Sequence, residues 1–420
     1  MSHPITCLHL ADLHFGVENY GFTNPETGLN TRLEDFSRSL SQAVDYAVER
    51  PVDLVLFAGD AYKRNTPSPT EQRELVKHFC RLANAGIPTV MIAGNHDIPV
   101  MHGKAASIDI FRTLRPGLFY VYTRPTLAEP PVIETRNGPI AVCCLPYLSV
   151  SWLRAQPDFQ NKKGEDLDQS IEAFHIDLIG TMARQVPEPI PRILVSHLTV
   201  HDVLYGGYRG ARILTVLPSD LASAGYDYIA LGHIHRHQNI LSLRDIPIVY
   251  PGGIDRVEFG EADESKGFVV ASVSRGGAEF QFVPIQVREF IPILVATQRG
   301  DDITEKILAA VRAESLRLPG SVVRITYDAD DDEVASIDMK RIHEALRPAH
   351  YKAGFHRRPR GDSTPRRSIT LSREVSTADA LAAYLREHEE YQDLGEPLLR
   401  KTREIEVSIQ SDYGFVERTP

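Results

Sequence analysis

Six short runs rich in Val, Ile and Leu dominate the first 231 residues: Ile5 to Leu10, Asp53 to Ala58, Thr89 to Ala93, Ile140 to Leu145, Ile193 to Val195 and Tyr228 to Leu231. Each has strand length and is apolar almost throughout, so it needs cover on both faces of a sheet. The longer amphipathic stretches between them, at about 31 to 49 and 70 to 85, read as covering helices. This alternation predicts an α/β fold up to about residue 270. A second pattern starts near Val287, where REFIPILVAT reads as a strand, DITEKILAAVRAE as a helix, SVVRITYDA as a strand and DMKRIHEALRPA as a helix. We therefore expect a domain over 1–280, a smaller α+β domain over 285–370 and a helical tail over 371–420. The tail helix is expected at about Ala378 to Glu387, with Leu381, Tyr384 and Leu385 on one face.

At 420 residues, 42% hydrophobic and 24% charged, the chain falls in the globular range and is long enough for two domains. Its first residues lack a basic segment followed by an apolar stretch, and no run nears eighteen apolar residues, so a cytoplasmic protein without membrane spans is expected. Cys7, Cys80, Cys143 and Cys144 have neither zinc-knuckle nor disulfide-framework spacing and read as reduced and mostly buried. The formal charge of −10 argues against nucleic acid coating the whole surface but leaves local contacts open.

Five of the runs are followed at once by candidate metal ligands: Asp12 and His14, Asp60 after Gly59, Asn95-His96-Asp97 after Gly94, His197 after Ser196, and His233 and His235 after Gly232. Side chains at the carboxyl ends of separate strands converge in one crevice of an α/β sheet. Residues i and i+2 point to one side, so Asp12 with His14, and His233 with His235, can each present two ligands together. The preceding glycines permit tight turns with unusual backbone angles. Carboxylate, imidazole and amide ligands together suit manganese, iron or zinc better than calcium. Two such ions would clamp a phosphate, activate water and offset charge on the attacking and leaving oxygens. A single His or Asp is more often a surface or satisfied core residue, and that reading holds for His9, His201 and His237, which stand outside the five motifs; His9 is expected to be structural.

The ordered set D-x-H, GD, GNHD, SH and GHIH resembles the calcineurin-like metallophosphoesterase superfamily. The resemblance implies a sandwich of β-sheets flanked by helices. It also implies one metal on Asp12, His14, Asp60 and His235 and the other on Asp60, Asn95, His197 and His233, with Asp60 bridging. His96 becomes the catalytic histidine and Asp97 the residue that orients its imidazole.

The segments HLADLHFG, the Arg32-Leu-Glu-Asp-Phe helix start, GDAYKRNTPSP and SHLTVHD look like the SbcD nuclease family. That resemblance implies manganese-dependent exonuclease and endonuclease action on DNA ends and hairpins in double-strand break repair. It also implies an α+β capping domain at the DNA entrance, a C-terminal helix docked on an SbcC-type coiled-coil ATPase, and a homodimer within a heterotetramer. Amphipathic helices near 70 to 85 or 105 to 115 offer dimer faces, although ordinary core burial explains the same apolar faces. Lys63 and Arg64, just after Asp60, are candidate DNA-phosphate contacts, as are Arg357 and Arg358 in the basic stretch Lys352 to Arg367, which reads equally as a solvated loop. Many relatives carry histidine where this chain has Lys63, which bears on strand separation and end processing. The competing readings are a small-molecule phosphodiesterase or nucleotidase with a closed pocket, and a DNA-end tethering scaffold whose nuclease site is weak.

Overall fold

The computed structural model describes residues 3–99, 104–114, 117–126, 128–149, 152–153, 155–160, 162, 164–201, 215–240, 246–360, 381, 385 and 395–402. The elements run β1 (Ile5–Leu10), α1 (Thr31–Glu49), β2 (Leu54–Phe57), α2 (Pro69–Asn84), β3 (Thr89–Ile92), α3 (Phe111–Leu114), β4 (Phe119–Tyr122), β5 (Val132–Thr135), β6 (Gly138–Leu145) and α4 (Gly164–Gln185). They continue with β7 (Arg192–His197), β8 (Thr199–Val200), β9 (Thr215–Val216), α5 (Pro218–Ser223), β10 (Tyr228–Gly232), β11 (Gln238–Ile240), β12 (Ile248–Tyr250), β13 (Gly267–Ser274) and β14 (Gly277–Pro284). The last group is β15 (Phe290–Val295), α6 (Ile303–Ala313), β16 (Val322–Asp328), α7 (Met339–Ala345) and β17 (Tyr351–Arg358).

Two six-stranded sheets carry the architecture, in the orders β14-β13-β1-β2-β3-β4 and β11-β12-β10-β7-β6-β5. Strands β1 to β4 are parallel, as are β6, β7, β10 and β12, while β13 runs antiparallel beside β1. Side-chain alternation divides the apolar residues between layers. Cys7, Leu54, Leu56, Val90 and Ile92 from the first sheet meet Val142, Cys144, Ile193, Val195 and Tyr228 from the second in a core between the sheets. Leu8, Leu10, Val55 and Phe57 face outward against α1 and α2. Ile171, Leu178 and Met182 of α4 cover the outer face of the second sheet. The result is the helix-flanked β-sandwich that the motifs imply, with Cys7, Cys143 and Cys144 buried, Cys80 partly so, and all four free.

Helix α1 forms where Leu33, Phe36, Leu40, Val44 and Ala47 recur at helical spacing, and the Asn30 side chain caps it by accepting from the Arg32 N–H. Helix α2 starts in a capping box, with Ser68 accepting from the Glu71 N–H and Glu71 accepting from the Ser68 N–H, and Pro69 in the first turn. The helix expected at 105 to 115 is corrected: residues 107–110 form turns, and among the described residues of that span only Phe111–Leu114 is helical. The Asp109 carboxylate accepts from the Ala106 N–H at 2.7 Å, a local bond that competes with an earlier helix start.

By contacts the chain divides into two compact units, Met1–Tyr327 with Ser336–His356, and Asp328–Ala335 with Arg357–Pro420. Strands β15, β16 and β17 form a three-stranded sheet. The basic stretch is thus a strand as far as Arg358 rather than a loop. Within the first unit, buried Arg32 donates to Asp35 at 2.7 Å, to Asp255 at 3.3 Å and to the Arg256 carbonyl at 2.5 Å. Its guanidinium lies 5.1 Å from the Phe36 ring centroid and 5.3 Å from that of Phe290, so one cation ties α1 to β15. Of the expected tail helix, Leu381 and Leu385 are helical; Tyr384 and the other positions lie outside the described residues. No described helix is long and apolar enough to cross a membrane.

Candidate metal centre

The five motifs meet at the carboxyl ends of β1, β2, β3, β7 and β10. The first sheet supplies Asp12, His14, Asp60 and Asn95, and the second supplies His197, His233 and His235. Three overlapping groups bring ligand atoms within 4.8 Å of one another: Asp12, His14 and His235; His14, Asp60 and His96; and Asp12, Asp60 and His197. Asn95 Oδ1 lies 3.0 Å from His197 Nε2 and 3.1 Å from His233 Nδ1, which joins those two residues to the cluster.

Backbone strain aims these side chains. Among the described residues, five non-glycines have positive φ, and four are Asp12 (52°), His14 (44°), Asp60 (60°) and His233 (97°). Main-chain and carboxylate bonds hold them: Asp12 N–H to Gly59 O at 2.9 Å, His14 N–H to Asp60 O at 3.1 Å, Asp60 N–H to Asp97 Oδ2 at 2.8 Å and His233 N–H to Asp12 Oδ2 at 3.0 Å. The glycines act in two ways. Gly59 has φ of +96°, as a tight turn requires, whereas Gly94 and Gly232 serve close approach: a Cβ on Gly94 would sit 2.1 Å from Asp60 Oδ1, and one on Gly232 would sit 2.0 Å from Ala58 O.

Acceptor-only partners fix three imidazole tautomers. His197 Nδ1 is 2.7 Å from the Ala58 carbonyl, His235 Nδ1 is 2.7 Å from Glu261 Oε1, and His96 Nδ1 is 2.9 Å from the Lys63 carbonyl. Each therefore donates through Nδ1 and leaves Nε2 as the open nitrogen. His14 Nε2 and His235 Nε2 face each other at 2.9 Å, and buried His14 Nδ1 has no partner. Nitrogen lone pairs turned toward each other and toward an amide oxygen are a donor set that a cation completes. The charges agree. Burial works against ionised Asp60, yet His197 and His14 hold it well below the usual carboxylate range. Burial works against charged His197, yet Asp60 and Asp12 push it up to about 9. These buried carboxylates demand positive charge, which bound divalent ions would supply, so the residues fit a metal centre.

Glu261 and Lys266 belong to no sequence motif. Glu261 bonds His235 and the Val257 N–H, and buried Lys266 bonds Glu261 at 2.8 Å and the His235 carbonyl at 3.0 Å. They converge on His235 from the 3-10 turn Phe259–Glu261 and from the residue just before β13, with no local spacing to announce them.

The expected Asp97–His96 contact is corrected. Asp97 accepts from the Gly94, Asp60 and Ala61 N–H groups and from Ser107 Oγ, while the His96 ring bonds the Lys63 carbonyl. Burial first, then the Asp60 charge, raises Asp97 to about 7. It braces the loops that carry Asp60 and Asn95. His9 is fully buried with Nδ1 3.1 Å from Tyr228 Oη, and burial pushes it down to about 3. His237 Nδ1 lies 2.8 Å from the Tyr250 carbonyl with its ring stacked on Phe282, and the His201 N–H donates to Val216 O. Lys63 is exposed, and Arg64 pairs with Glu71 at 2.7 Å. In the second unit Arg357 pairs with Asp331, and Arg358 pairs with Asp328 at 2.8 Å.

The calcineurin-like phosphoesterase family model matches residues 5–237, more than half of the 420-residue chain and every strand that delivers a candidate ligand. This chain is a calcineurin-like phosphoesterase. It is a metal-dependent hydrolase of phosphate esters, and the convergent cluster is its candidate metal site. Among curated relatives, this phosphoesterase is similar to the DNA double-strand break repair protein Mre11 of Archaeoglobus fulgidus, 24% identical over 355 residues covering 80% of this chain and 72% of that protein. Among solved structures, a dimetal phosphatase from Danio rerio covers 67% of this chain and 100% of its own, at 13% identity and a TM-score of 0.39.

Proposed function

We propose that this phosphoesterase is a manganese-dependent DNA nuclease, the nuclease subunit of an SbcCD-type double-strand break repair complex. The observation that carries the reading is the similarity to an Mre11 protein over 80% of the chain, which extends well beyond the 5–237 segment matched by the family as a whole.

In this reading Asp12, His14, Asp60 and His235 hold one ion, and Asp60, Asn95, His197 and His233 hold the other. Bound there, the ions supply Lewis-acid polarisation of the phosphoryl group and activation of water. Asp60 bridges, its two oxygens steered by the His96 N–H at 2.9 Å and by His197 and His14. His96, partly exposed and held through Nδ1, presents Nε2 to the leaving oxygen and, as the imidazolium with Nε2 also protonated, gives it a proton or a strong hydrogen bond. Asp97 keeps the Asp60 and Asn95 loops in place. Exposed Lys63 contacts a DNA phosphate beside the metals; Arg64, Arg357 and Arg358 are already neutralised by carboxylates and contribute less. The segment over 285–370 acts as a capping domain at the DNA entrance, and the tail docks a coiled-coil ATPase in a complex containing a nuclease homodimer.

The test is manganese-dependent cleavage of end-labelled linear and hairpin DNA, with bis-p-nitrophenyl phosphate as a small diester and His96→Ala beside the wild type. Cleavage of both substrates, lost by a factor of about 100 or more in the variant with metal content unchanged, is expected. Diester turnover with intact DNA, even with the ATPase partner and ATP, overturns the nuclease reading in favour of a small-molecule phosphodiesterase.

A further inference from the structure

Strand β6 is the apolar run that no ligand motif follows; Pro146 and Tyr147 come directly after it. It lies parallel to β7, which delivers His197, with Leu145 opposite Ser196. Two bonds pin the chain around Pro146. Ser196 Oγ donates to the Leu145 carbonyl at 3.0 Å, and the Tyr147 N–H crosses to the first sheet to meet the Ala93 carbonyl at 2.9 Å, just before the Gly94-Asn95-His96 loop. The half-buried Tyr147 ring is thereby held beside the cluster, its centroid 6.3 Å from the imidazoles of both His197 and His233.

Three buried tyrosines of the sandwich have partners for their hydroxyls: Tyr226 donates to Ile179 O at 2.8 Å, Tyr250 to Leu198 O at 2.9 Å, and Tyr228 meets His9 at 3.1 Å; a fourth, Tyr62, has an unpartnered hydroxyl that is sealed from solvent. The Tyr147 hydroxyl has no such bond among the described residues and is not sealed from solvent. As a phenol it is a hydrogen-bond donor throughout the neutral range. His96 borders the opposite part of the cluster, its ring 5.0 Å from that of His14. A pinned, protonated and unengaged donor beside Asn95, His197 and His233 has the attributes of a group that waits for substrate.

We propose that Tyr147 binds the substrate phosphoryl group, its hydroxyl donating a hydrogen bond to a non-bridging oxygen on the Asn95, His197 and His233 side of the centre. The inference rests on the metal-ligand assignment proposed above, not on DNA being the substrate. Tyr147→Phe keeps the ring and removes only the donor. Compared with wild type, it is expected to retain bound manganese and melting temperature, to bind inorganic phosphate several-fold more weakly by calorimetry, and to lose about tenfold in kcat/KM on bis-p-nitrophenyl phosphate. Unchanged phosphate affinity and turnover would reduce Tyr147 to packing, and loss of manganese would make it part of the ligand scaffold; either result overturns the proposal. Running linear DNA in parallel separates the two readings, because a wild type that turns over the diester and leaves DNA intact defeats the nuclease and still reports on Tyr147.

Discussion

Glu261 determines which nitrogen of His235 is available to a metal, and it does so from a turn 26 residues further along the chain. Replacing it with Gln keeps the size and an acceptor but removes the charge that makes the imidazole a strong ligand. Glu261→Gln should weaken manganese binding by about 10- to 100-fold while the fold persists, as calorimetric titration would register. Gly94→Ala should act more severely, because the new methyl meets the Asp60 backbone nitrogen at 2.5 Å as well as its carboxylate. We expect loss of metal binding, with Gly277→Ala, which meets nothing within 4 Å, as a silent control in the same assay. The residues that the structure brings together as candidate ligands were legible in the sequence because each directly follows a strand that announces itself. Glu261 and Tyr147 were not, since their roles depend on which strands lie side by side. Asp97 shows the limit of adjacency: next to His96 in sequence, it turns its carboxylate to the backbone of three other residues.

Helices α1 and α2 were readable from apolar spacing and from caps such as Ser68. Ser68→Ala should cost about 1 kcal/mol in urea or thermal unfolding by opening the capping box. Hairpin β13–β14 escaped the sequence reading although Gly267–Ser274 alternates and Arg275-Gly276 forms the turn, because most of β14 is half exposed and lacks an apolar signature. The packing of α1 on α2 also buries His78, whose Nε2 lies 2.7 Å from Ser37 Oγ. Burial lowers its pKa from 6.5 to about 4, with nearby Arg81 acting in the same direction. Between those values the unfolded chain binds a proton that the folded one refuses, so the contribution is complete above pH 6.5 and is lost as pH falls toward 4. His78→Asn should flatten the decline in melting temperature between pH 7 and pH 5, and an unchanged slope would show that other groups control it.

Arg32 joins parts of the molecule that are more than 200 residues apart in sequence, linking α1 to Asp255 and to the ring of Phe290. Arg32→Met keeps the volume but strips buried Asp255 of its guanidinium, and about 3–5 kcal/mol of stability should disappear in urea unfolding. The α+β pattern after Val287 was legible, but nothing in the spacing disclosed that a single cation would bolt it to the sandwich. The two-sheet origin of the ligands has a different consequence, for how the chain behaves when damaged or unfinished. Asp12 and His233 touch across 221 positions of sequence, so neither sheet alone carries a full ligand set. The capacity to hold metal is therefore tied to assembly: a nascent chain that has not reached His235, or a nicked one whose layers have parted, would lack a complete candidate set and leave phosphate esters untouched.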